Sequence, residues 1–354
     1  MIVNQWVPAA HSGDAVGDSA RRVRRMLRSL GHTADLFAMQ IDDDLSDDDV
    51  RPFQDPAASR GDVTILHYAI ASPMTAALAT APGRRVVQYH NVTPAEFFAP
   101  YDLGLSRLAT RSRDELRSLA GHVDLALGDS EYNRRELEQI GFTSTGVFPI
   151  AVDTARVTTL VRRPALEAVL EDGPANFLYV GRIVPNKKIE DHLRLAALYS
   201  RYVDEDCRFI FVGRCDLVPR YYSMVRALVT QYGLRDRVIF TGAVPDEELA
   251  IYYQHADVYI SLSEHEGFCV PLVEAMAAGV PVMAYAASAV PDTLDGAGIQ
   301  FAPKDLELAA ELLGELTFND ELRARVVAGQ RQRLERFSDD RLARDLSALL
   351  GSLS

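Results

Sequence analysis

The sequence predicts an α/β protein made of two doubly wound, Rossmann-like domains. Two observations lead there. Its 354 residues, 48% of them hydrophobic, exceed what one compact core organises and suit two domains of about 170 residues each. Short apolar runs alternate with amphipathic stretches, the pattern of βα units around mostly parallel sheets.

In the first half, the runs at 63–68, 85–90, 123–127 and 146–149 read as strands, and the stretches at 19–31, 73–81, 107–120 and 130–140 as helices. The pattern lapses at 155–171, which reads as a linker and hinge. A strand at 177–180 follows, and Gly181, Pro185 and Asn186 then mark a loop before a helix near Ile189. Further on, E-G-F-C-V-P-L-V-E carries Glu266 and Glu274. Its punctuation predicts a loop, a short helix opened by Pro271 and closed near Gly279, and a buried strand at 280–285. An amphipathic stretch at 339–353 reads as a last helix.

The chemistry concentrates in two of these loops. Backbone N–H groups of Phe268, Cys269 and Val270, with Gly267 before them, fall at a helix N-terminus, where unpaired donors and the dipole favour an anion. Glutamates beside a phosphate would repel it, so Glu266 and Glu274 suit neutral hydroxyls, as sugars supply. Arg182 and Lys187 follow a strand, at the end of the sheet where such folds bind ligands. A guanidinium clamps two oxygens while a mobile ammonium follows shifting charge, which matches a diphosphate. The ligand so described is an anion with sugars on both sides, a nucleotide diphosphosugar. The competing reading is plain: a solvated basic loop, and glutamates that complement a helix dipole.

The run V-G-R-I-V-P-N-K-K at 180–188, followed by S-E-H-E-G-F-C-V-P-L-V-E-A-M-A-A-G-V-P-V at 263–282, resembles the donor-binding half of the retaining family-four glycosyltransferases. These are the glycogen-synthase-like and mannosyltransferase-like enzymes with the GT-B fold. The segments at 209–214, 238–244 and 256–263 match that family's pattern in order. Two positions depart from it: Lys188 and Cys269 stand where the family usually has glycine.

The resemblance implies two Rossmann-like domains facing a central cleft. Residues 1–165 form the acceptor domain, completed by the helix at 339–354, and residues 166–338 the donor domain. It implies that Arg182 and Lys187 neutralise the diphosphate, that Glu266 contacts the donor hexose and that Glu274 contacts the ribose diol. Main-chain groups near Gly181, Gly213 and Val244 would line the nucleotide. In the first half, Gly13 and Asp14 resemble the family's glycine-bearing first loop, which lies across the diphosphate. His90, in V-V-Q-Y-H-N-V-T-P, resembles the strand-end histidine near the transferred sugar. Ser72, Asp129 and Ser130 are further candidates for the same region. The implied activity is a retaining, metal-independent hexosyltransferase that moves mannose or glucose from a UDP- or GDP-linked donor. The acceptor would be a sugar or lipid-linked glycan in cell-surface polysaccharide synthesis. No cofactor and no metal are called for. A nucleotide-sugar epimerase or hydrolase on the same scaffold is the alternative.

Composition narrows the field. The net charge of −13 disfavours nucleic acid. A dinucleotide oxidoreductase should show G-x-G-x-x-G after its first strand, and this chain does not. There is no run of 18 apolar residues, and the first residues lack signal-peptide features, so a cytoplasmic protein is expected. Cys207, Cys215 and Cys269 suit reduced thiols rather than disulfides or zinc ligands. The acidic run at 42–49 reads as a solvated loop. The arginines at 21–28 and Arg107, Arg111, Arg113 and Arg117 read as solvated helix faces, or as a peripheral contact with an anionic membrane on its inner side.

Overall fold

The computed structural model describes residues 1–11, 13–46 and 48–353; Ser12 of the first loop and Asp47 of the acidic run lie outside the described residues. The chain divides into two compact units. Unit 1 comprises Met1–Glu96, Leu103–Asp153 and Glu335–Ser354; unit 2 comprises Phe97–Asp102 and Thr154–Leu334.

Unit 1 runs β1 (Ile2–Ala10), α1 (Ala15–Ser29), β2 (Thr33–Ile41), β3 (Arg51–Pro52), β4 (Val63–Tyr68), α2 (Pro73–Thr80) and β5 (Arg84–Tyr89). After α3 (Ala95–Phe98) come α4 (Leu103–Ser118), β6 (Leu125–Gly128), α5 (Glu131–Ile140) and β7 (Thr145–Val147). The seven parallel strands lie in the order β3-β2-β1-β4-β5-β6-β7. All six residues of β4 are buried, as expected where helices cover both faces of a parallel sheet.

Unit 2 runs α6 (Ala155–Thr158), α7 (Pro164–Glu171), β8 (Ala175–Val180), α8 (Ile189–Tyr202), β9 (Cys207–Val212), α9 (Pro219–Gln231) and β10 (Val238–Gly242). It continues through α10 (Asp246–Gln254), β11 (Val258–Ser261), α11 (Val270–Ala277), β12 (Val282–Tyr285), α12 (Val290–Leu294), β13 (Ile299–Phe301), α13 (Leu306–Phe318) and α14 (Asp320–Leu334). Its parallel strands lie in the order β10-β9-β8-β11-β12-β13. Each sheet therefore has the doubly wound order, and the winding reverses between β1 and β4 in unit 1 and between β8 and β11 in unit 2.

The last helix, α15 (Asp339–Ser352), returns to unit 1. Its buried Leu342, Leu346 and Leu350 recur every fourth residue, so one face enters the core with Val3, Leu27 and Phe148. Burying a leucine contributes about 2 kcal/mol, which suffices to hold this helix in place.

Two expectations about organisation change. The stretch at 155–171 is not a structureless linker: it forms α6 and α7, Val157 is buried, and Arg156 pairs with Asp246 and Glu274. The units accordingly divide after Asp153 rather than at 165. Helix α1 begins at Ala15, four residues earlier than expected, because the Asp14 carboxylate accepts from the N–H of Gly17 at 3.0 Å and caps it.

Candidate functional site

The two chemistry-bearing loops leave β8 and β11, the neighbouring strands at the winding reversal of unit 2. An open α/β sheet forms its ligand crevice beyond the strand ends at this reversal.

Glycine shapes the crevice floor. Gly181 and Gly213 have φ of +151° and +144°, and a Cβ on Gly213 would lie 2.1 Å from the Gly181 carbonyl oxygen. Only a residue without Cβ lets the β8 and β9 loops approach so closely. The N–H of Gly213 donates to Gly242 O at 2.9 Å, which joins the loop after β10 to the same floor. Val244, half-buried, follows directly.

Polar side chains tie the β11 loop to the β8 loop and to the segment after β12. Buried Asn186 donates from Nδ2 to His265 O at 2.9 Å, and its own carbonyl accepts from Glu264 N at 2.9 Å. His192 Nδ1 lies 3.0 Å from Lys188 O, and its Nε2 accepts from Leu262 N at 3.1 Å. A backbone acceptor on one side and a backbone donor on the other fix a neutral Nδ1–H imidazole. Lys304 donates to Asp191, Leu262 O and Glu264 at 2.9–3.0 Å. Ser288 Oγ accepts from Glu266 N at 2.7 Å.

On this frame Lys187 meets Glu266. Its Nζ lies 2.6 Å from both carboxylate oxygens. The sequence reading gave Lys187 to a diphosphate and Glu266 to a sugar; the structure brings the two together and pairs them with each other. Opposite charges in a partly dry crevice attract strongly, which accounts for the pairing. Glu266 also adjoins the Cys269 thiol, which burial above all, and then that carboxylate, push well above its usual pKa. Arg182 is exposed and makes no ion pair with the described residues. It stands near the group nonetheless: the buried Tyr179 phenol, 3.4 Å from Arg182 O, is raised by burial and then by Glu266 and Cys269, while the Arg182 charge opposes. The N–H groups of Gly267, Cys269 and Val270 donate to none of the described residues, and Phe268 is buried beside them.

Both glycine-to-side-chain departures have a backbone consequence. Lys188 (φ +52°) and Cys269 (φ +71°) are left-handed and immediately precede α8 and α11. An L-residue there costs about 1–2 kcal/mol relative to glycine, which is the strain glycine avoids at these positions.

Glu274 is not at the helix N-terminus as the sequence suggested. It lies in the second turn of α11, 2% exposed, and accepts from Tyr253 Oη at 2.9 Å. Arg156 Nε is 3.2 Å from its other oxygen. Burial, and then the Glu274 charge, raise the Tyr253 phenol well above its usual value, so it stays a donor. Sequence reasoning missed Arg156, Tyr253, Asn186, His192, Ser288 and Lys304. Only His192 left a local sign, one helical turn beyond Lys188.

In unit 1, the His90 side chain is 1% exposed, with Nδ1 2.8 Å from Asp129 and Nε2 2.9 Å from His67 Nδ1. His67 Nε2 in turn lies 2.9 Å from Gln5 Oε1, while Gln5 Nε2 donates to Ala20 O. That second bond orients the Gln5 amide, so its Oε1 accepts from His67 Nε2. The His90 ring is thus engaged inside the unit, and the exposed part of the residue is its main chain. Gly13 takes φ +75°, and Asp14 is spent on its cap. Ser130 caps α5 by accepting from Asn133 N. Ser72 N donates to Glu115 at 2.8 Å.

Most of the basic residues serve the fold. Arg21 pairs with Asp18, Arg22 with Asp153 and Asp339, Arg24 with Asp49, and Arg28 with Asp35. Arg113 pairs with Glu136 at 2.7 Å, while Arg107, Arg111 and Arg117 are exposed on α4. No helix among the described residues is long and apolar enough to cross a membrane.

Comparison with known proteins agrees with this geometry. Residues 166–333 match the family described as "Glycosyl transferases group 1". The chain is 29% identical over 296 residues to a D-inositol 3-phosphate glycosyltransferase of Xylanimonas cellulosilytica, covering 81% of this chain and 66% of that protein. It is 38% identical over 113 residues to a GDP-mannose-dependent alpha-mannosyltransferase of Mycolicibacterium smegmatis, covering 32% of this chain and 26% of that one. The chain thus spans under two thirds of the length of these relatives. Among solved structures, sucrose-phosphate synthase from Thermosynechococcus elongatus superposes with a TM-score of 0.77 at 18% identity, over 100% of this chain and 99% of that one. Anabaena HepE in complex with UDP-glucose gives 0.76 at 18%, over 99% of this chain and 100% of that one. Both share the fold, two Rossmann-like domains of the GT-B class.

Proposed function

We propose, from the match of residues 166–333 to the group 1 glycosyl transferases, that this protein transfers a hexose from a nucleotide diphosphosugar to a hydroxyl acceptor. Retention of configuration and independence from metal are part of the reading. The observation that carries it is the meeting of Lys187 and Glu266 from separate loops at the winding reversal of unit 2, beside the start of α11.

In the proposed reaction, negative charge builds on the leaving diphosphate and positive charge on the sugar ring. Lys187 exchanges Glu266 for the diphosphate, Arg182 joins it, and the N–H groups at Gly267, Cys269 and Val270 complete the cradle. Glu266, released, accepts from hexose hydroxyls, and Glu274 accepts from the ribose diol. The Gly13 main chain is proposed for the diphosphate, and the His90 main chain for the transferred sugar. Mannose or glucose is the proposed hexose, as the mannosyltransferase relative suggests. A lipid-linked glycan is the proposed acceptor, with the exposed arginines of α4 resting against anionic headgroups.

A thermal-shift panel of UDP, GDP, ADP and their sugars tests the reading. A ligand at a hundred times its Kd should add about 2.7 kcal/mol. An active donor should release its nucleoside diphosphate only with acceptor present. Free hexose without acceptor would mark a hydrolase, and no shift with any nucleotide would sink the proposal.

A further inference from the structure

We propose that Arg156 is a positioning residue that sets recognition of the ribose, by orienting Glu274 and tying it to the segment expected to line the nucleotide. The inference rests on the reading of unit 2 as a nucleotide-sugar site. Arg156 lies on the four-residue α6, just after the chain enters unit 2. Its Nε is 3.2 Å from Glu274 Oε1, a contact of charge rather than of hydrogen-bond alignment, and its Nη2 is 3.4 Å from Asp246 Oδ1. Asp246 opens α10, two residues beyond Val244. One guanidinium therefore spans the carboxylate proposed for the ribose and the segment expected to line the nucleotide.

The carboxylate is held from both sides. Tyr253 donates to Oε2 at 2.9 Å, while Arg156 faces Oε1. A carboxylate oxygen can accept more than one hydrogen bond, so this grip leaves capacity for two hydroxyls. It also fixes the direction in which they are accepted, and a group buried to 2% exposure would be poorly tolerated as an anion without a cation beside it. Arg156 places a cation within ion-pair distance of Glu274. The guanidinium thus acts through Glu274 and need not touch the nucleotide.

The experiment compares UDP and GDP with their 2′-deoxy forms, by calorimetry on the full chain. Wild type should prefer the ribose form about tenfold or more, the discrimination expected when a buried acceptor loses its hydroxyl. Arg156→Ala should weaken the ribose form about tenfold and bring the ratio near one, with the deoxy form little changed. Arg156→Lys should restore part of the ratio, and adding Arg156→Ala to Glu274→Gln should remove no further discrimination. Should Arg156→Ala not fold, Arg156→Lys and Tyr253→Phe carry the same ratio test. Equal weakening of ribose and deoxy forms, or an intact ratio in every variant, overturns the role of Arg156. A wild type that binds neither nucleotide, or binds both sugars alike, overturns instead the nucleotide-sugar reading on which it stands.

Discussion

Acidification should loosen unit 2 through His192, a residue whose geometry sets the sign. Its ring is buried, and its Nε2 accepts from Leu262 N, so a second proton would replace an acceptor with a donor facing a donor. Burial, chiefly, lowers its pKa from 6.5 to about 4; Lys304 adds to the shift, while the Lys188 carbonyl and Asp191 oppose it. Between these values the unfolded chain binds a proton that the folded chain refuses, so stability rises with pH there. The contribution is complete above pH 6.5 and is lost as pH falls toward 4. A depression of this size corresponds to about 3 kcal/mol, at roughly 1.4 kcal/mol per unit. Because His192 joins Lys188 to Leu262, the same protonation should part the β8 and β11 loops. Urea unfolding at a series of pH values, in wild type and His192→Gln, is the assay. The variant should be less stable at pH 7.5 yet fall less steeply between pH 6.5 and 4. Parallel curves would refute the argument, since carboxylates and His67, whose pKa burial and His90 also depress, would then carry the whole slope.

Two pairs of substitutions probe the rest of the frame. Glu274→Ala takes the carboxylate away from the Tyr253 hydroxyl and from Arg156 Nε, so it should cost about 3 kcal/mol without any nucleotide present. That amounts to a loss of about 6–12 °C in Tm, whereas Glu274→Gln, which keeps an acceptor for Tyr253, should lose about a third as much. Similar small losses in both would count against a buried carboxylate. Gly213→Ala drives a Cβ against the Gly181 carbonyl and should cost about 3 kcal/mol or more. Gly279→Ala, at φ +75° with open space around it, should cost only about 1 kcal/mol. Equal Tm losses in the two alanine variants would remove the steric argument.

The parts legible in the sequence were those with local causes. The strand expected at 63–68 is β4 residue for residue, because an unbroken apolar run between turn residues marks a buried strand. The segments after β8 and β11 were legible as loops through glycine and proline. By contrast, α6 has four residues, too few to show a 3.6-residue period, so Arg156 was hidden in an apparent linker. The engagement of His90 depends on Gln5, His67 and Asp129 from three other segments, and no spacing along the chain encodes it.

The pairing of Lys187 with Glu266 changes what donor affinity can mean. The sequence argument treats the lysine as a cation awaiting a diphosphate, whereas the structure gives it a carboxylate partner at 2.6 Å. Binding then becomes an exchange: the ammonium trades one anion for another, and the glutamate must receive hydroxyl donors in its place. The net gain is the difference between two large terms, as in any desolvated ion pair. On the proposed reading, a bare nucleoside diphosphate would take the lysine and leave the carboxylate uncompensated, while the intact sugar would supply both partners. Glu266→Gln should therefore tighten the bare diphosphate and weaken the diphosphosugar, and calorimetry on the two ligands reads the difference. If the variant weakened both alike, the two groups would be acting as a single structural tie and the exchange would not occur.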